Sequence, residues 1–153
     1  MIIGRGHISR IIKDKGYAKD YNEANSYLKS LKKTKSYGVR VEEAIKTIHD
    51  AKGIAIMAHP YSLKKDDETL FNKIKYYKDN HGLDGIECIH TRQSKEKIEK
   101  YLVIAKKLDL LVSGGSDYHG DYKPDVRLGK GKGKEFFVDY QYLIDMKNYY
   151  NKL

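Results

Sequence analysis

Three short stretches place residues able to hold a metal or move a proton directly after runs of apolar residues. "IAIMA" at 54–58 runs into His59-Pro60-Tyr61; "DGIECI", Asp84 to Ile89, carries Glu87 and ends in His90-Thr91-Arg92; "LLVSGG", from Leu110, ends in Ser116-Asp117-Tyr118-His119. Imidazole and carboxylate together suit divalent zinc, manganese or iron, whereas an all-oxygen set would favour calcium or magnesium. Residues two apart in an extended or turning segment point to the same side, so Asp117 and His119 are expected to bind one ion or neighbouring ions. Gly114 and Gly115 are expected to let the backbone come close to that site.

These groups need elements that bring them to one place. Ile8, Ile11 and Ile12 recur at helical spacing before a stop at Gly16, and a second helix is expected from about Asn22 to Lys32, with Ala24, Tyr27, Leu28 and Leu31 on one face. From Val41 a repeating unit begins: "VEEAIKTIHDAKG" reads as a helix ended by Gly53, and "IAIMA" is a continuous apolar run of the kind that fits a strand buried on both faces. The unit recurs as a helix over Glu68 to Asp79, the strand Asp84 to Ile89, a helix from about Ser94 to Leu108 and the strand Leu110 to Ser113. A last helix is expected from about Tyr140 to Asn151. Alternating helices and strands predict parallel α/β packing, in which functional groups gather past the C-terminal ends of the strands. By that rule His59, His90, Asp117 and His119 share one rim.

Length and composition set the frame. With 153 residues the chain suits one unit with a core of its own, and no internal boundary stands out. No apolar run approaches the roughly 20 residues of a membrane helix, and the N-terminus "MIIGRGHISR" has no secretory core, so a soluble cytoplasmic protein without a membrane partner is expected. The single cysteine, Cys88, excludes an internal disulfide and reads as a small buried hydrophobe. Lys and Arg outnumber Asp and Glu by 30 to 21, a formal charge of +9, which favours anionic partners. The lysines are spread along the chain, as in "SLKKTK" and "KEKIEK", and the spaced run "GKGKGK" at 129–134 reads first as a solvated loop.

Taken in order, four segments resemble the PHP family, named for polymerase and histidinol phosphatase, and within it the nucleoside 3',5'-bisphosphate phosphatases. "GRGHISRIIKDKGYAKDYNEANSYL" resembles that branch's Arg-x-His segment and helical insert; "EEAIKTIHDAKGIAIMAHPY" its helix, strand and His-Pro; "LDGIECIHTRQ" and "VSGGSDYHGDYKPDVRLG" its last two signature segments. The resemblance implies an α/β fold, the C-terminal part of a distorted seven-stranded, TIM-like β/α barrel: 1–153 as a partial PHP domain, with 1–40 the helical insert and 41–153 the β/α units. It also implies divalent metal ions (Zn, Mn or Fe) that activate water to hydrolyse phosphate esters. Carried over by position, His59, Asp117 and His119 match metal ligands, with Asp117 and His119 at the catalytic centre, and Arg5 and His7 match the segment that meets the substrate phosphate. Glu87 and His90 stand as further candidates.

The family opens with a His-x-His segment, an aspartate, a Thr-Asp-His-like segment and a glutamate, and none of these occurs here. The resemblance therefore begins about halfway into the pattern. Two readings follow. In the first, the chain is the metal-site half of a phosphoesterase acting on phosphorylated nucleotides or oligonucleotide ends, and it associates with itself or with an N-terminal partner half to cover an open strand edge. In the second, it is a non-catalytic remnant that binds nucleic acid or a protein, through lysines such as those of 129–134 and some of the 14 tyrosines.

Overall fold

In a computed structural model, which describes residues 4–31, 38–133 and 136–152, the chain divides into two compact units. One comprises Met1–Gly38 with His119–Pro124; the other comprises Val39–Tyr118 with Asp125–Leu153. The short segment after Asp117 and Tyr118 groups with the helical region.

The smaller unit contains α1 (Arg5–Asp14) and α2 (Tyr21–Ser30). Gly16, at φ 75°, supplies the left-handed turn after α1. Asp20 caps α2 by accepting the Glu23 N–H at 2.8 Å. Of the face expected for α2, Ala24 and Leu28 are buried, whereas Tyr27 and Leu31 are exposed; Lys32 lies outside the described residues. The buried Ser9 hydroxyl donates to Asn25 Oδ1, which also accepts the Tyr122 hydroxyl, each at 2.8 Å. Tyr122 further packs its ring 5.1 Å from that of Tyr21. These contacts hold 119–124 to the helices.

The larger unit contains α3 (Val41–Asp50), β1 (Ile56–Met57), α4 (Asp67–His81), β2 (Gly85–His90), α5 (Lys95–Lys107), β3 (Leu111–Gly115) and α6 (Gln141–Tyr150). The strands form one parallel sheet in the order β1-β2-β3, as the alternating pattern predicts. β1 is shorter than the run "IAIMA" because only Ile56 and Met57 find partners, Gly85 and Ile86 of the central strand. The core joins Ile45 of α3, Ile74 and Tyr77 of α4, Ile86 and Cys88 of β2, and Tyr101 and Ala105 of α5. Each fully buried large apolar side chain there contributes roughly 1.5–3 kcal/mol. Cys88 is a buried free thiol, which burial pushes up to about 12, and so it is packing material.

Two glycine roles differ from expectation. The left-handed residue after α3 is Lys52 at φ 59°, while Gly53 sits where space is tight, since a Cβ there would stand 3.0 Å from Ile48 Cγ2. A Cβ on Gly114 would meet Ile89 Cβ at 2.8 Å, so Gly114 lets β3 lie against β2; Gly115 faces the Glu87 carboxylate at an ordinary contact distance. Among the described residues no helix is long and apolar enough to cross a membrane.

Candidate metal centre

β2 carries Glu87 and His90, whose spacing of three should put them on opposite faces of a regular strand. The register removes that conflict. Glu87 pairs with Ser113 and Ile89 with Gly114, leaving Cys88 as an extra residue, and this bulge turns His90 to the side of Glu87. His59, from the turn after β1, joins them: ligand atoms of His59, Glu87 and His90 all lie within 4.8 Å of one another. The rings of His59 and His90 stand edge to face with centroids 5.4 Å apart.

The two imidazoles are held in opposite senses. His59 Nδ1 contacts the Glu87 carboxylate, so Nδ1–H donates and Nε2 keeps its lone pair. A carboxylate behind a histidine is the usual way to fix a ligating tautomer and raise its basicity. His90 instead accepts the Arg92 N–H at Nδ1, 3.1 Å, which puts the proton of the neutral ring on Nε2. That nitrogen is buried without a hydrogen-bond partner, and lies 3.5 Å from Asp117 Oδ2. Burial lowers the His90 pKa below the ordinary histidine value, and the charges of Glu87 and Asp117 oppose that shift. A neutral, buried N–H aimed toward a carboxylate and short of a partner is a place for an anion oxygen, a water or a metal ligand sphere. His90 becomes a direct ligand only by giving up the bond from Arg92.

Exposure grades the site. The His59 side chain is 45% exposed, Glu87 12%, Asp117 15% and His90 1%, so solvent reaches the centre from the His59 side. His59 and Asp117 both adopt left-handed backbone, φ 98° and 58°. Such conformations cost a β-carbon residue of order 1–3 kcal/mol and persist where the surroundings impose them, commonly at functional sites. Asp117 takes this conformation directly after β3, in a segment with no regular secondary structure.

The remaining sequence candidates lie in the helical unit. His7 and His119 line one cavity of about 610 Å³ with Arg10, Tyr21 and Tyr122. His7 Nδ1 accepts the Gly4 N–H at 3.0 Å and caps α1, and the Arg5 guanidinium donates to the Leu28 carbonyl at 3.3 Å. Sequence reading missed Tyr61, whose ring lies 5.1 Å from that of His90, and Gln93, whose side-chain amide is buried without a partner. Tyr61 follows His59-Pro60 and Gln93 follows His90 by three, so both were within reach of the motifs already singled out.

The donor types fit a divalent ion: the His59 imidazole with its Nε2 lone pair presented and the carboxylates of Glu87 and Asp117, with the buried His90 N–H able to meet an oxygen beside them. Comparisons with known proteins point the same way. No family model matches the chain. It is 29% identical over 133 residues to the 5'-3' exoribonuclease Rnm of Escherichia coli, covering 84% of this chain and 44% of that protein. It is 34% identical over 122 residues to a 5'-3' exoribonuclease of Haemophilus influenzae, covering 76% and 43%. The chain thus spans less than half the length of these curated relatives. A solved structure from Bifidobacterium adolescentis, provisionally named a metal-dependent phosphoesterase, superposes with a TM-score of 0.66 at 30% identity, covering 94% of this chain and 49% of that one. The chain is thus similar in sequence to 5'-3' exoribonucleases, and in sequence and fold to a protein provisionally named a metal-dependent phosphoesterase.

Proposed function

We propose that the chain is the C-terminal, metal-holding part of a PHP-type phosphoesterase of the seven-stranded barrel kind, acting on phosphorylated nucleotides or oligonucleotide ends. The observation that carries this reading is the convergence of His59, Glu87, His90 and Asp117 at the ends of parallel strands, with a buried His90 nitrogen left unsatisfied. His59 is the metal ligand, held in its ligating tautomer by Glu87. Asp117 ligates beside it, with the His90 Nε2–H aimed at its carboxylate. The sequence resemblance adds His119 as a ligand, and Arg5 and His7 as donors to the substrate phosphate, a task suited to the guanidinium fork. A divalent ion of the zinc, manganese or iron type supplies charge neutralisation on phosphoryl oxygens and a water of lowered pKa. Substrate enters from the open His59 side while the neutral His90 stays inside. Within the described residues β1 pairs on one side only, which supports association with a second copy or with an N-terminal half.

The test is metal content of the purified chain by elemental analysis, with Asp117→Asn as control, followed by hydrolysis of a nucleoside 3',5'-bisphosphate with and without EDTA. One or more equivalents of zinc, manganese or iron, lost in Asp117→Asn, is the expected result. No bound metal in either protein overturns the reading and leaves the non-catalytic module.

A further inference from the structure

The basic run at 129–133, which the metal centre does not use, walls a groove of about 730 Å³ with Asp125, Arg127, Phe136 and Phe137. We infer that this groove is a nucleotide subsite: the exposed ring of Phe137 stacks a base of single-stranded nucleic acid, and Arg127 and Lys130 receive the adjoining phosphate.

The groove has a fixed shape. Arg127 and Gly131 exchange both backbone hydrogen bonds at 2.9 Å, closing a tight turn that projects Lys130. Gly129 and Gly131 adopt left-handed backbone, φ 70° and 61°. Gly131 is also pinned by space, since a Cβ there would stand 2.8 Å from Thr91 Cβ and 2.9 Å from the Phe136 ring. The Lys132 N–H donates to Thr91 Oγ1, and Lys132 Nζ pairs with Asp125 at 2.7 Å. The carboxylate in the wall is therefore neutralised, and the wall carries Arg127 and Lys130 as its net charge.

The groove adjoins the metal centre through one short stretch of chain. Thr91, on which the turn rests, follows His90 directly. The charge of the next residue, Arg92, acts at both ends: it adds to the Lys132 hydrogen bond that lowers Asp125, and it opposes the burial that raises Tyr61 beside His90. A volume of about 730 Å³ lies within the roughly 300–1,000 Å³ of small-ligand sites. An aromatic face next to a guanidinium is the pairing that grips a base and its phosphate without reading sequence. Phe137 is 72% exposed, so its ring is presented to solvent and not consumed by the core. The identity of the ligand rests on the phosphoesterase reading above; the groove itself does not.

The experiment is fluorescence anisotropy of the full chain with a labelled, 5'-phosphorylated pentauridylate in EDTA, at several salt concentrations. Phe137→Ala is expected to weaken binding roughly 5-fold or more at every salt concentration, the loss of one stacked base. The double variant Arg127→Ala with Lys130→Ala should flatten the log–log salt dependence, by about 0.7 for each phosphate contact removed. Leu128→Ala, an exposed apolar residue of the same turn that does not line the groove, should bind as the native chain does. Native-like binding by Phe137→Ala, equal loss in Leu128→Ala, or no binding by the native chain would each overturn the inference. Asp117→Asn separates the two claims: loss of metal with pentauridylate binding retained supports both, whereas a metal-free native chain that still binds through Phe137 sinks only the phosphoesterase reading.

Discussion

Two carboxylates of the larger unit, Asp84 just before β2 and Glu87 within it, each meet a histidine, and they have been finished differently. At the start of β2, Asp84 accepts from His49 Nε2 and the Ala55 N–H on one oxygen, each at 2.7 Å, and from the Tyr149 hydroxyl on the other at 2.6 Å. Its side chain is 5% exposed. It ties α3, the chain before β1, and α6 to β2, and it is a staple. Further along, Glu87 orients His59, and His90 Nε2, 3.5 Å from Asp117 Oδ2, has no hydrogen-bond partner among the described residues. A satisfied pair stabilises; a neighbouring buried nitrogen without a partner and two left-handed residues cost stability. The difference lies in how many partners each carboxylate has been given, since the residue types are nearly the same.

Breaking the staple should give the largest effect. Asp84→Ala removes one buried carboxylate and strands three donors from three parts of the chain. Loss of one partner from a buried charged pair costs about 3–5 kcal/mol, and the urea midpoint should fall accordingly while metal bound per folded molecule stays constant. A loss of stability below about 1 kcal/mol would erase the distinction, as would metal loss in the folded fraction.

The site pair should behave in the opposite way. Glu87→Gln keeps the shape and an oxygen able to accept from His59, but removes the charge behind the ring. Metal affinity, read by calorimetric titration, should fall about 10- to 100-fold, the usual cost of altering a group that orients a ligand. Urea stability should be unchanged or should rise, because a partly buried charge has been removed from a set without full compensation. Equal losses in affinity and stability would place Glu87 with Asp84 as a staple.

The contrast also marks what sequence could and could not supply. The parallel α/β order, and the α-helices and strands of the described residues, were legible because each carries periodicity or a buried apolar run. The grouping of His59 with His90 followed from the rule that strand ends converge. Glu87 as the partner of His59 was not legible, because strand alternation opposes Glu87 to His90 and only the bulge at Cys88 brings them together. The Asp84 network was invisible for another reason. His49 and Tyr149 lie 35 and 65 residues away in sequence, and no local pattern links them to Asp84. The left-handed backbone at Asp117, φ 58°, was not legible, because glycine is the residue whose type announces that conformation.

The smallest effect tests the staple from its half-buried end at Tyr149. The bond to Asp84 comes first, followed by burial, in raising the Tyr149 hydroxyl from 10.0 to about 12. The folded state thus holds this proton more tightly than the unfolded chain. The contribution is therefore complete below pH 10 and is lost as pH rises from 10 toward 12. Many lysines titrate in the same range, so the comparison must be with Tyr149→Phe, which lacks the proton. Below pH 10 the native chain should be the more stable by about 1 kcal/mol, and the gap should close above it. No gap at any pH would mean that the ring's packing, which Phe retains, and not its hydroxyl on Asp84, secures α6 at this end of the strand. His49 and Ala55 would then be the only partners that make Asp84 a staple, and the contrast with Glu87 would rest on those two bonds.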